Sequence, residues 1–196
     1  GPGDLDVTVY SLRKWARLAL NGNPTVLLLL FAPAEFCSVR DPLGRRLQAL
    51  APVIVSRRAG QAFLGYMVAQ KQRLLGERGQ KRTKRPELEI EYGYDTKYAM
   101  HMLRLGLQGV ELLTTGRLTL PMPEPQRNLL MRVRRGELDL QQVLTVAGEA
   151  EAELRDLLTT SPLPEQPDRA AVDELLVYAH QRAWPRLTDA RGRYTV

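Results

Sequence analysis

The sequence GYDTKYAMHMLRLGLQGVELLTTG, at residues 93–116, decides how the rest of the chain is interpreted. Its apolar residues recur every three or four positions, which predicts a helix from about Asp95 to Gln108. Asp95 stands where a helix N-cap is expected, because its carboxylate accepts hydrogen bonds from the free N–H groups of the first turn. The following residues, 109–115, are predicted to form a further turn that a bend displaces.

Helical spacing also extends to both sides of this stretch. It predicts that Ser11 caps a first helix, that Asn23 caps a second with Pro24 at its first position, and that Ser56 begins a long third helix. Further helices are predicted at 124–135, 139–159 and 168–184, and residues 36–52 are predicted to be irregular with one or two helical turns.

Extended segments are predicted at three places. Leu5, Val7 and Val9 alternate with polar residues, which is the period of a strand and predicts one over 4–10. Residues 86–92 and 117–120 are predicted to be a further extended segment and a short strand. The predicted fold class is therefore α+β, predominantly α-helical, with a strand at the N-terminus.

Composition excludes several classes of protein. The 196 residues are 44% hydrophobic and 26% charged, which is typical of a globular chain rather than a disordered one. Cys37 is the single cysteine, so no intramolecular disulfide can form, and a reducing, cytoplasmic location is expected. No apolar stretch approaches the roughly 20 residues that a membrane-spanning helix needs, and no signal peptide is visible.

The charge is unevenly distributed. Residues 1–85 hold 15 Lys/Arg and 5 Asp/Glu, whereas residues 86–196 hold 13 and 17, within a net charge of +6. A basic half of this kind indicates a polyanionic partner such as nucleic acid, although charges that merely cluster on a solvated surface would give the same pattern.

Three groups of residues are candidates for chemistry. Asp4 and Asp6 lie two apart on the predicted strand, so both carboxylates share one face and could hold Mg²⁺; the alternative is the polar face of an edge strand. The basic loop of residues 76–86 could bind nucleic-acid phosphates or could simply be solvated; its candidate residues are Arg78, Lys81, Arg82, Lys84 and Arg85. There is no P-loop, GxGxxG, HExxH or GxSxG motif.

The third group lies on the predicted helix after Asp95. Lys97, His101 and Arg104 are spaced i, i+4 and i+7, so they form one stripe of about 10 Å, the span of an extended triphosphate. Such a stripe can grip phosphates and offset the charge that develops on a leaving pyrophosphate. The alternative is a solvated basic face with one hydrogen-bonded, buried histidine.

Several runs together resemble one family, the predicted nucleotidyltransferases of bacteria and phages within the DNA polymerase β superfamily. The most specific run is YGYDTKYAMHMLRLGLQGVELLTTGRLTLP at 92–121. The others are DVTVYSLRKWARLALNGNPTVLLLLF (6–31), QAFLGYMVAQKQRL (61–74), RNLLMRVRRGEL (127–138) and PLPEQPD (162–168). The resemblance covers most of the chain.

This resemblance implies that a nucleoside monophosphate is transferred from a nucleoside triphosphate, bound with Mg²⁺, to an acceptor oxygen such as a nucleic-acid end. It places Asp6 at the family's third catalytic, metal-binding carboxylate, with Asp4 beside it. By this resemblance, Lys97, His101 and Arg104 match the family's basic helix. These three residues, together with Tyr94 and Asp95, are expected to bind the nucleotide. It also implies a remnant of the α/β core at 1–34 and a helical domain at 35–196.

The sequence departs from the family pattern in three ways. It contains no Gly-Ser dipeptide, no aspartate pair follows such a turn, and Leu28 stands where an acidic residue is expected. The chain therefore resembles the C-terminal helical part of such an enzyme, and whether it is itself an enzyme stays open. The alternative is a catalytically inactive module that binds DNA, or a protein partner that acts on DNA.

Overall fold

The structure, a computed structural model, describes residues 7–77 and 85–183. The elements of these residues are all helical. They are α1 (Leu12–Leu20), α2 (Pro24–Phe31), a 3₁₀ turn (Ala34–Phe36), α3 (Pro42–Ala49), α4 (Ala51–Ile54), α5 (Arg57–Leu74), α6 (Pro86–Tyr92), α7 (Thr96–Thr115), α8 (Glu124–Arg134), α9 (Leu140–Thr160) and α10 (Arg169–Ala183).

The predicted α+β fold with an N-terminal strand is wrong, because the described residues contain no strand. Residues 7–10 are irregular, and Val7 and Val9 are 64% and 85% exposed; residues 4–6 lie outside the described part. An alternating pattern supplies an apolar face, but a strand also needs a neighbouring strand to pair its backbone N–H and C=O groups. The described residues offer no such neighbour.

The two other predicted extended segments are wrong for local reasons. Pro86 and Gly93 bracket α6, with proline at its first turn and glycine ending it at a φ of 79°, which is a helix start and stop signal. At 117–120 the backbone N–H of Thr119 donates to the Oε1 atom of Glu111 at 2.8 Å. A helix side chain thus satisfies the N–H that a strand would have paired.

The predicted helix starts are confirmed. Ser11 and Asn23 accept hydrogen bonds from the first-turn N–H groups of α1 and α2. Asp95 does the same for α7, and Asp139 and Gln142 form a capping box at the start of α9. The predicted bend at Gly109 is absent, since α7 is one continuous helix of 20 residues.

Helix α7 is the centre of the described fold and packs against α5, α8 and α9. Glycines make the close approach possible. A Cβ atom built on Gly109 would lie 2.9 Å from Leu154 and 3.0 Å from the Cβ of Phe63, and one on Gly106 would lie 2.9 Å from the sulfur of Met67. A Cβ on Gly60 of α5 would lie 2.7 Å from the Cγ of Leu113.

The segment between α9 and α10 closes the start of α5. The N–H groups of Arg57 and Arg58 donate to the carbonyls of Pro164 and Glu165 at 2.8 and 3.1 Å. On the same segment, the hydroxyl of Ser161 donates to the carbonyl of Leu113 at 2.6 Å. Two N–H groups that a helix start leaves without partners are thereby satisfied. In the described residues, no helix is long and apolar enough to cross a membrane.

The close packing of α5 on α7 is tested by Gly60→Ala. We expect this substitution to lower the free energy of unfolding by about 1–3 kcal/mol, because Leu113 is fully buried and cannot move away. Gly148→Ala in α9 is the matched control, since a Cβ there meets nothing within 4 Å; it should stabilise by about 0.5–1 kcal/mol. Urea unfolding measures both, and equal effects would contradict the packing argument.

Candidate functional site

An open cavity of about 450 Å³ lies between α2, α5 and α7. Its volume is within the range of small-molecule sites, about 300–1,000 Å³. The lining is part apolar and part polar, and the polar groups come from all three helices. The lining residues are Pro24, Thr25, Ala62, Gly65, Tyr66, Ala69, Gln70, Arg73, His101 and Leu105.

Helix α5 supplies most of this wall. Its cavity residues, from Ala62 to Arg73, recur every three or four positions and therefore share one face of the helix. Gly65 lies in the middle of that face, and a Cβ atom built there would meet nothing within 4 Å. A glycine inside a helix costs about 1 kcal/mol relative to alanine, and packing does not require this one. Its effect is to keep the cavity open.

His101 is held in its neutral form at the α7 side of the cavity. Burial lowers its pKa, and the positive charges of Arg104 and Arg73 lower it further. The Nη2 atom of Arg104 lies 3.1 Å from the Nδ1 atom of His101. A guanidinium can only donate, so Nδ1 accepts and the ring carries its proton on Nε2. His101 therefore lines the cavity as a neutral ring with one N–H donor.

Two arginines leave positive charge near His101: Arg73 lines the cavity, and Arg104 contacts the imidazole but is not among the lining residues. Neither forms an ion pair with an acidic residue of the described part, whereas Lys71, on the same helix as Arg73, pairs with Glu151 at 3.1 Å. Burial lowers the pKa of Arg104, and its Nε atom is buried without a hydrogen-bond partner. An anionic ligand in the cavity would neutralise this charge.

Gln70 carries a second polar atom without a partner. The side chain is 8% exposed and lines the cavity, and its Oε1 atom is buried without a hydrogen bond. Buried side-chain polar atoms in folded proteins nearly always have a partner, so an exception needs an explanation.

The start of α7 brings other predicted residues together outside the cavity wall. Asp95, 2% exposed, accepts from the N–H groups of Lys97 and Tyr98 at 3.0 Å and pairs with Arg85 at 3.0 Å. The hydroxyl of Tyr94 donates to the carbonyl of Leu138 at 2.7 Å. These contacts fix where α7 begins, and with it where His101 and Arg104 lie.

The remaining predicted residues fall into two groups. The side chain of Lys97 is exposed and is not part of the cavity lining. The others lie outside the described residues, namely Asp4, Asp6, Arg78, Lys81, Arg82 and Lys84. Within residues 7–77 and 85–183, no group of three His, Cys, Asp or Glu side chains is arranged to hold a metal ion, so the described residues do not fit a Mg²⁺ site.

Sequence reasoning missed the α5 wall, including Gln70 and Arg73. One signal was available, because an isolated glycine inside a helical pattern often has a packing or functional reason. The sequence gave no signal that the Oε1 atom of Gln70 lacks a hydrogen-bond partner, because this depends on which residues of other helices lie near it.

Comparison with known proteins identifies a family. A family model described as the RNA repair pathway DNA polymerase beta family matches residues 1–178. No curated protein and no solved structure gives a match to the chain.

The neutral state of His101 predicts a pH dependence of stability. Its pKa is lower in the folded chain than the unfolded value of about 6.5. Below that pH the unfolded state binds more protons, so the free energy of unfolding should fall as the pH drops from about 6.5 through the folded pKa. Urea unfolding between pH 7.5 and 5 measures this slope, and His101→Gln should reduce it. An unchanged slope would show that His101 titrates normally.

Proposed function

We propose that this chain, which belongs to the RNA repair pathway DNA polymerase beta family, binds a nucleotide in the cavity between α2, α5 and α7 for nucleotidyl transfer to an RNA end. An acceptor oxygen would attack the α-phosphorus of a nucleoside triphosphate, the bond to the bridging oxygen would break, and pyrophosphate would leave. The family supports the reaction class, and the cavity supports the place where the nucleotide binds.

The unneutralised positive charge around His101 carries the proposal. A phosphate chain supplies several acceptor oxygens and negative charge, and it would lie beside Arg73 and His101, which line the cavity, and near the charge of Arg104, which contacts His101. In a partly buried site these groups interact with phosphate more strongly than they would in water. They would therefore bind the triphosphate and offset the charge that develops on the leaving pyrophosphate.

The basic N-terminal half supports RNA as the acceptor. Arg13, Lys14 and Arg17 are exposed on α1, and no acidic residue of the described part forms an ion pair with Arg13 or Arg17. Such a surface binds phosphate backbones without reading their sequence. Mg²⁺ enters the proposal through the family, with Asp4 and Asp6 as the proposed carboxylates.

The charge argument predicts the effect of removing one guanidinium. Arg73→Met should weaken binding of a fluorescent nucleoside triphosphate about 10- to 100-fold, the usual effect of losing a charge-assisted hydrogen bond of about 1.5–3 kcal/mol. Arg127→Met is the matched control, because Arg127 is an exposed arginine of α8 away from the cavity. Fluorescence anisotropy in the presence of Mg²⁺ measures both variants.

Two results would contradict the proposal. One is the absence of nucleotide binding by the unchanged chain at millimolar concentration, and the other is equal affinity in both variants. Transfer is assayed separately, with α-³²P-labelled triphosphates and RNA oligonucleotides. Nucleotide or nucleic-acid binding without transfer would favour the catalytically inactive module instead.

The open wall at Gly65 predicts that a side chain there blocks the site. Gly65→Leu should abolish nucleotide binding while the chain remains at least as stable, because leucine favours the helix and its Cβ meets no atom. Gly148→Leu places the same side chain on α9, where a Cβ also meets nothing within 4 Å, and should bind normally. Isothermal titration calorimetry measures both. Normal binding by the Gly65 variant would exclude this cavity as the site.

A further inference from the structure

We propose that the base of the nucleotide stacks on the ring of Tyr66, so that the cavity binds nucleotides more tightly than inorganic polyphosphate. This inference rests on the proposed function, because it assumes that the phosphates lie beside Arg73 and His101. The observations behind it are separate from those charges. They are an exposed aromatic ring in the cavity lining and the contacts that fix its position.

The side chain of Tyr66 is accessible to a ligand. It lines the cavity, and the residue is 45% exposed. The lining residues next to it on α5 are small, because Ala62 lies one turn before it and Gly65 directly precedes it. A Cβ atom built on Gly65 would meet nothing within 4 Å. An exposed aromatic ring bordered by small residues and open space is a surface on which a flat base can stack.

A hydrogen bond connects this ring to the start of α2. The Oδ1 atom of Asn23 accepts from the backbone N–H groups of Thr25 and Val26 at 3.0 and 3.3 Å. The Nδ2 atom of the same amide donates to the hydroxyl of Tyr66 at 3.1 Å. Asn23 therefore caps α2 with one end of its amide and holds the tip of the tyrosine with the other.

The turn that carries Asn23 is itself held against α5. Gly22 has a φ of 71°, and a Cβ atom built on it would lie 2.5 Å from the Cα atom of Ala59. Ala59 and Tyr66 are seven residues apart, which is two turns along one face of α5. The start of α2 therefore contacts α5 at two heights. A ring fixed in this way loses little freedom when a base binds, which favours binding.

The distance between Tyr66 and the cationic residues suits a nucleotide. Arg73 lies seven residues further along the same face of α5, and the rise of 1.5 Å per residue separates the two by about 10 Å. The charge of Arg73 lowers the pKa of His101, so these two residues lie at one end of the cavity. A nucleotide whose base stacks on Tyr66 can extend its phosphates toward that end. An inorganic polyphosphate makes only the second contact.

The test compares binding of nucleotides with binding of inorganic tripolyphosphate. Each of the four ribonucleoside triphosphates, and tripolyphosphate, is titrated into the full chain with Mg²⁺ by isothermal titration calorimetry. We expect Tyr66→Leu to weaken binding of all four nucleotides about 5- to 100-fold, because every base has an aromatic face and loses its stacking partner. Binding of tripolyphosphate should stay unchanged, because it has no base.

Three further variants serve as controls and as a second readout. Phe36→Leu is the matched control, because Phe36 is 63% exposed and lies outside the cavity lining; it should bind every ligand normally. Arg73→Met should weaken nucleotides and tripolyphosphate alike. Tyr66→Trp keeps an aromatic ring and should bind nucleotides at least as tightly as the unchanged chain. Its added indole fluorescence should be quenched by nucleotides and not by tripolyphosphate.

The outcomes separate this inference from the function on which it rests. If the unchanged chain binds no nucleotide, the proposed function fails and the inference fails with it. If the unchanged chain binds tripolyphosphate as tightly as nucleotides, or if Tyr66→Leu weakens both alike or neither, only the inference is overturned. An effect on one of the four nucleotides alone would indicate a contact to a base edge and also overturn stacking. If Tyr66→Leu does not fold, the fluorescence of Tyr66→Trp decides, and an unquenched indole overturns the inference.

Discussion

The close contact between α5 and α7 is the constraint on which the rest of the described structure depends. On one side the two helices touch through glycine, with Gly106 and Gly109 of α7 facing Met67 and Phe63 of α5. On the cavity face of α5, a Cβ atom built on Gly65 would meet nothing within 4 Å. The same pair of helices therefore lines both the buried core and the open cavity, and glycine allows close packing in the first and leaves space in the second.

The start of α7 sets where the chemistry of that cavity lies. Asp95 is held by two backbone N–H groups and by Arg85, so the helix begins at one defined residue. His101 and Arg104 then follow at fixed heights along the axis. The buried carboxylate of Asp95 caps the same helix that carries the imidazole of His101 to the cavity wall.

Local signals in the sequence predicted local structure well. Ser11, Asn23, Asp95 and Asp139 begin helices because capping depends on only three or four neighbouring residues. The prediction of strands was wrong because a strand needs a pairing partner elsewhere in the chain. The alternating pattern at residues 4–10 could not show whether such a partner exists. The α+β assignment assumed that a neighbouring strand pairs with residues 4–10, and the described residues contain no strand.

The cavity shows the same limit for function. The spacing of Lys97, His101 and Arg104 indicated one helical face, but spacing could not reveal that the guanidinium of Arg104 reaches the imidazole. Nor could it separate Lys97 and Arg104, which do not line the cavity, from His101, which does. The sequence could not indicate the buried Oε1 atom of Gln70 either, because whether this atom has a hydrogen-bond partner depends on residues from other parts of the chain.

The segment between α9 and α10 has a consequence for how this sequence can vary. It holds α5 through the carbonyl groups of Pro164 and Glu165, and every residue type carries a carbonyl group. Side-chain identity at these two positions can therefore drift without loosening the helix. The length of the segment cannot change in this way, because one insertion or deletion would move both acceptors away from the N–H groups of Arg57 and Arg58. Among related sequences, this segment should therefore keep a constant length.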